Sequence, residues 1–143
     1  MKRPSVSNVK ETINLGIVIN SHKEVLLIKR AKKEGGKDKS ILSWAFPGGR
    51  LHKNESKKEC VEREILEETG YKVESIKEIS SRIHPQFPVF IVYHLCKLLS
   101  EEPIAKPKNP HEIAEIRWVE PKEMKKLFTT DLDSKVGHEL GLS

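Results

Sequence analysis

The segment PVFIVYHLCKL, residues 88–98, restricts the possible folds more than any other stretch of the chain. Successive side chains of a strand point to opposite faces. Here Val89, Ile91, Tyr93 and Leu95 form one set and Phe90, Val92, Cys96 and Leu98 the other, so both faces are apolar. Such a strand belongs at the centre of a sheet that is covered on both sides. His94 falls on the Phe90–Val92–Cys96 face and reads as a core histidine rather than a ligand. Other strands follow from composition and punctuation. Residues 11–20 and 24–30 are β-rich runs split by Ser21-His22-Lys23, which predicts a hairpin. Further strands are expected over 72–83 and 113–119, and Trp44-Ala45-Phe46 is a short apolar stretch stopped by Pro47-Gly48-Gly49. Residues 31–43 carry Gly35-Gly36 and six charges, and 99–110 hold Pro103, Pro107 and Pro110; both read as loops, the first a mobile one. A helix is expected from Ser56, which forms an S-x-x-E capping box with Glu59, to Thr69, with Gly70 ending it in a left-handed conformation. Pro121 can open another helix over KEMKKLF, and the tail after Thr129 a short one. With no internal repeat and 143 residues, the expectation is one α+β domain over 1–143.

The predicted helix over 56–69 breaks two local rules at one spot. Glu64, Glu67 and Glu68 stand at i, i+3 and i+4, within an arc of roughly 100°. Like charges so placed cost a few tenths of a kcal/mol per pair. They also occupy the C-terminal half of the helix, whose partial negative charge disfavours carboxylates. Conflicts of this kind tend to mark functional sites. A hard divalent cation would relieve both penalties, because Mg²⁺ binds through a few carboxylates, waters and substrate phosphates. The cluster contains no His or Cys, which argues against Zn²⁺. On spacing alone, a solvated acidic face remains an equal or better account.

The surrounding residues change that balance. From Gly49 the chain runs five residues to Glu55, seven to Arg63-Glu64-Ile65, one to Glu67-Glu68 and one to Gly70-Tyr71. This resembles the Nudix box, the signature of the Nudix hydrolases. Seven fixed positions match (Gly49, Glu55, Arg63, Glu64, Glu67, Glu68 and Gly70), and Ile65 is aliphatic as required. At ordinary residue frequencies chance would produce this in roughly one window in 10⁸. Tyr71 departs mildly from the usual aliphatic residue. Pro47-Gly48 before the box also resembles the family.

The resemblance implies an α/β/α sandwich-like fold, a mixed β-sheet between helices. It implies hydrolysis of a nucleoside diphosphate linked to another group, dependent on Mg²⁺, with Mn²⁺ as a substitute. It makes Glu64, Glu67 and Glu68 the metal ligands, joined by a backbone carbonyl of Gly48 or Gly49. Arg63 is expected to orient the glutamates, with Glu55 in support and the glycines Gly48, Gly49 and Gly70 shaping the backbone. The general base in this family is a box glutamate or one from a later loop, so the candidates here are Glu68 and Glu112, with Glu115 nearby. Arg30 at a strand end could reach a phosphate. Phe87 and Trp44 could stack on a base, although packing and surface roles compete for all three. The expected substrate is a nucleoside triphosphate, ordinary or oxidised. ADP-ribose or another nucleotide sugar is the alternative, as is a Nudix-fold module that binds nucleotide or RNA without turnover.

Composition enters where partners are concerned. The net charge of +5 and pI near 9.2 favour anionic ligands, but the positive residues form no block of the kind that makes a nucleic-acid tail. A small-molecule nucleotide is therefore the expected partner, nucleic acid the weaker expectation, and the assembly a monomer or homodimer. No apolar run approaches the roughly 20 residues that span a bilayer, and no signal-peptide core follows Met1. Cys60 and Cys96 have no metal-type spacing and read as core residues, which fits a cytoplasmic protein.

Overall fold

A computed structural model describes residues 11–31, 42–84, 87–128 and 132–142. Among these, seven strands form one mixed sheet: β1 (Glu11–Ile19), β2 (Val25–Ala31), β3 (Leu42–Ala45), β4 (Gly48–Arg50), β5 (Val73–Ile83), β6 (Val89–Leu98) and β7 (Ile113–Val119). The helix α1 spans Lys57–Thr69 and α2 spans Ser134–Glu139. The path β3-β2-β1-β6-β5 forms the body of the sheet, with β4 paired to β1 and β7 to β2. Strands β1 and β6 are parallel and in continuous register from Glu11↔Val89 to Ile19↔Lys97. Every other pairing is antiparallel.

β6 lies between β1 and β5, as its two apolar faces require. One face contributes Ile91 and Tyr93 to a core with Ile17, Leu27, Phe46, Met124 and Val136. The other contributes Cys96 to a core with Val18, Leu26, Val61, Ile65 and Val73. α1 covers this second face, while α2 and the segment around Met124 cover the first. The sheet thus sits between helical layers, the sandwich that the sequence led us to expect. His94 is buried in the sheet, with Nδ1 2.9 Å from Ser75 Oγ and Nε2 2.8 Å from Asn14 Oδ1. Burial lowers its pKa, consistent with a neutral core imidazole.

The predicted hairpin forms, with Ile19 opposite Val25. α1 starts at the predicted cap: Ser56 accepts from Glu59 N and Glu59 returns a bond to Ser56 N. It ends at Gly70, whose φ of 81° is the left-handed conformation that other residues adopt at a cost. The helix expected after Pro121 is a 3₁₀ turn over Pro121–Lys126, tighter than an α-helix. The loop expected over 31–43 falls mostly outside the described residues, as do Pro85 and Gln86 of the turn before β6. No described helix is long and apolar enough to cross a membrane.

Candidate functional site

Strand β4 brings the glycine segment to the helix. It pairs antiparallel with β1, placing Gly49 opposite Asn14 and Gly48 opposite Leu15. A side chain on Gly48 would run into the Asn14 carbonyl. One on Gly49 would lie 2.5 Å from the Glu64 carboxyl carbon, so the bare position 49 leaves the space that the Glu64 carboxylate occupies. The Gly49 carbonyl accepts a weak bond from Cys60 Sγ at 3.5 Å, and the Gly48 carbonyl accepts one from Arg30 at 3.1 Å.

Arg63 stands at the middle of the carboxylates. Its Nε and Nη2 grip the two oxygens of Glu55 at 2.5 and 3.1 Å, a bidentate pair. Its Nη1 donates to Glu64 Oε2 and Glu67 Oε1, both at 3.2 Å. Glu55 also accepts from the His52 backbone N–H at 3.0 Å, tying the loop after β4 to the helix. The Arg63 hydrogen bond holds the Glu55 carboxyl down at about 2, and Glu55 raises the already high pKa of Arg63.

Glu68 is the most enclosed of the three helix glutamates. Its Oε1 accepts from the Gly48 N–H at 3.0 Å and its Oε2 from Arg30 at 3.0 Å. Burial pushes its pKa up, and Arg30 and the Gly48 N–H pull against that rise. Arg30 therefore bridges Glu68 and the Gly48 carbonyl rather than standing free at the strand end. The separation of 38 positions between Arg30 and Glu68 kept this pairing out of reach of sequence reasoning.

A small cleft of about 50 Å³ is lined by Glu64, Glu67, Glu68, Asn109, Glu112 and Ile113. Glu112 thus comes to the helix glutamates from a 3₁₀ turn over Pro110–Glu112, on the loop where the sequence suggested a later carboxylate. Glu115 does not line the cleft; it pairs with Arg117 at 2.6 Å. Nor does Phe87, which is exposed beside the β5–β6 turn against His84 at 4.9 Å. The Trp44 ring carries Arg117 at 4.7 Å and Lys29 at 5.6 Å and packs against the core, so cations stack where a base was considered. Lys108, which the sequence did not single out, lies 3.6 Å from Glu67.

The like-charge conflict on α1 is met in part by the protein itself, through Arg63, Arg30 and Lys108. Among the described residues, five carboxylates (Glu55, Glu64, Glu67, Glu68 and Glu112) still meet only those three cations, leaving room for a divalent one. Among the described residues no three His, Cys, Asp or Glu side chains are gathered to hold a metal unaided. The donors on hand are carboxylates and glycine carbonyls, oxygen ligands of the kind a hard ion takes together with waters and phosphate oxygens. Burial pushes the Cys60 thiol up to about 11 and that of Cys96 up to about 12, so both are protonated near neutral pH.

Comparison with known proteins bears on this arrangement. A family model described as NUDIX domain matches residues 11–139. A Bacillus subtilis (strain 168) protein, provisionally named an 8-oxo-dGTP diphosphatase, is 39% identical over 71 residues, 50% of this chain and 42% of that protein. The Arabidopsis thaliana mRNA-decapping enzyme subunit 2 is 34% identical over 77 residues, 53% of this chain and 21% of that protein. The match therefore spans less than half the length of either relative. A solved NUDIX hydrolase from Nitrosomonas europaea superposes with a TM-score of 0.72 at 16% identity, over 92% of this chain and 88% of that one. At that identity the likeness is one of fold.

Proposed function

Since the chain belongs to the NUDIX domain family, we propose that it is a pyrophosphohydrolase that cleaves a nucleoside diphosphate linked to another group. The observation that carries the proposal is the cleft in which Glu64, Glu67 and Glu68 of one helix meet Glu112 of a distant loop. In this reading Glu64, Glu67 and Glu68, with a carbonyl of Gly48 or Gly49, hold Mg²⁺, or Mn²⁺ in its place. When bound, the ion neutralises polyphosphate charge and makes a coordinated water easier to deprotonate. Arg63 keeps the carboxylates in place by pairing with Glu55 on its other side. Glu112 or Glu68 takes the proton of the water that attacks phosphorus in line with the leaving phosphate. Burial raises the Glu68 pKa, a direction that suits a proton acceptor. Arg30 is the arginine best placed to meet a substrate phosphate, at the cost of its bond to Glu68.

For the substrate we infer a nucleoside triphosphate, ordinary or oxidised, supported by the likeness to the Bacillus subtilis protein. A second reading is hydrolysis at the 5′ end of an RNA. The likeness to the decapping subunit and the net charge of +5 favour it. One experiment separates these: incubation with Mg²⁺ and a panel of triphosphates, oxidised dGTP, ADP-ribose, nucleotide sugars, and 5′-triphosphate and capped RNA, followed by product analysis. Cleavage of a triphosphate to monophosphate and pyrophosphate is the expected result. Release of products from RNA alone selects the second reading. No cleavage across the panel, by protein that binds Mn²⁺, overturns both in favour of a binding module.

A further inference from the structure

We infer that Lys108 is an exchangeable counter-ion of the candidate metal site: it competes with the divalent cation for Glu67 and, once released, contributes to holding the polyphosphate. The inference rests on the reading of the cleft as a metal–polyphosphate site. The two oxygens of Glu67 meet two cations of opposite character. Oε1 accepts from Arg63, a guanidinium whose side chain is 26% exposed and is forked over Glu55. Oε2 lies 3.6 Å from the Lys108 ammonium, on a side chain that is 67% exposed. An ammonium on four rotatable carbons is a mobile, strongly hydrated point charge, whereas a forked guanidinium is pre-organised. Of the two cations, only Lys108 can leave without breaking other bonds.

The backbone keeps the lysine where that exchange is useful. The Lys108 N–H donates to the Glu67 carbonyl at 2.7 Å and the Ile104 N–H to the Gly70 carbonyl at 2.8 Å, so the loop is fastened to the end of α1. The same loop continues into Asn109 and Glu112, which line the cleft. Lys108 is thus anchored at the rim of the carboxylates with its charge free to turn. A cation at that rim repels a second cation and attracts an anion. It should weaken binding of the metal ion alone and strengthen binding of a metal–polyphosphate complex, a pair of opposite effects that a purely structural residue would not produce.

Wild-type protein, Lys108→Met and Lys108→Arg can be compared in two titrations. The first follows Mn²⁺ binding by electron paramagnetic resonance without nucleotide. The second follows inorganic tripolyphosphate binding by calorimetry at saturating Mg²⁺. The main-chain clamp survives either substitution, because each retains the backbone N–H. Exposed ion pairs are weak, so the expected changes are about two- to fivefold: tighter Mn²⁺ and weaker tripolyphosphate binding for Lys108→Met, with Lys108→Arg close to wild type in the second. Unchanged or weaker Mn²⁺ binding by Lys108→Met overturns the competition, and unchanged tripolyphosphate binding overturns the contribution to substrate. A wild-type protein that binds neither probe removes the metal–polyphosphate reading itself, and this inference with it.

Discussion

Arg63 serves three carboxylates and the Arg50 carbonyl from one planar group. A lysine in its place would keep the charge and lose the fork. Arg63→Lys is therefore expected to weaken Mn²⁺ binding by roughly 10- to 100-fold, the range for losing a group that orients metal ligands. A titration showing wild-type affinity would mean that Glu64 and Glu67 hold their positions without it. The same ion pair makes stability depend on pH. The Glu55 carboxyl falls from 4.5 to about 2 on folding, chiefly through the Arg63 bond. A lowered carboxylate pKa stabilises the fold above the unfolded value, and that contribution is lost as pH falls through 4.5 towards 2. Glu55→Gln should cost roughly 1–2 kcal/mol at pH 7 and should flatten the acid limb of a stability–pH curve measured by urea unfolding. Equal steepness in both proteins below pH 4.5 would contradict this account.

At the scale of elements, what the sequence makes legible depends on how far apart the interacting residues lie. α1 could be read end to end, because Ser56, Glu59 and Gly70 act on their own turns. β6 could be placed centrally because its burial on two faces is written into its own alternation. β4 could not: Gly48–Arg50 has no apolar pattern and exists through backbone pairing with β1. The parallel pairing of β1 with β6 was equally hidden, being a choice between strands about 80 residues apart. The site divides the same way. Glu64, Glu67 and Glu68 are neighbours on one helix, whereas Arg30 and Lys108 arrive from other elements and carry no local signal. Glu112 falls between these cases, since a carboxylate just past a proline-rich loop could be suspected but not located. Its place in the cleft predicts that Glu112→Gln lowers kcat by about 10²–10⁴ if it is the base, while Glu115→Gln, facing Arg117, stays near wild type. If Glu68→Gln and Glu112→Gln both retain near-normal turnover at saturating Mg²⁺, the base lies elsewhere.

Over the whole molecule, the sheet separates two cores with different relations to the site. The core under α1 contains Val61 and Ile65, from the helix that also carries the three glutamates. Gly16 of β1 lets that helix lie close: a side chain there would collide with the Ile65 methyl end and come within 3.2 Å of Cys96 Sγ. Among the described residues, the opposite core, around Met124 and Val136, contains no residue of α1 and shares none with the lining of the cleft. Ile65 and Met124 are almost completely buried, at 0% and 1% exposure. Truncation to alanine should therefore cost a similar amount, roughly 2–5 kcal/mol each. The functional consequences should differ. Ile65→Ala removes packing that seats α1 on β1, so Glu68 should lose its register with the Gly48 N–H and Glu64 its place beside Gly49. Met124→Ala leaves that register alone. Urea unfolding and Mn²⁺ titration, both at a temperature where each variant remains folded, test the distinction. The expected result is comparable destabilisation with weakened metal binding in Ile65→Ala only. Equal loss of metal affinity in both variants would show that the two cores act on the site through global stability, and that the close seat of α1 on the sheet has no separate role.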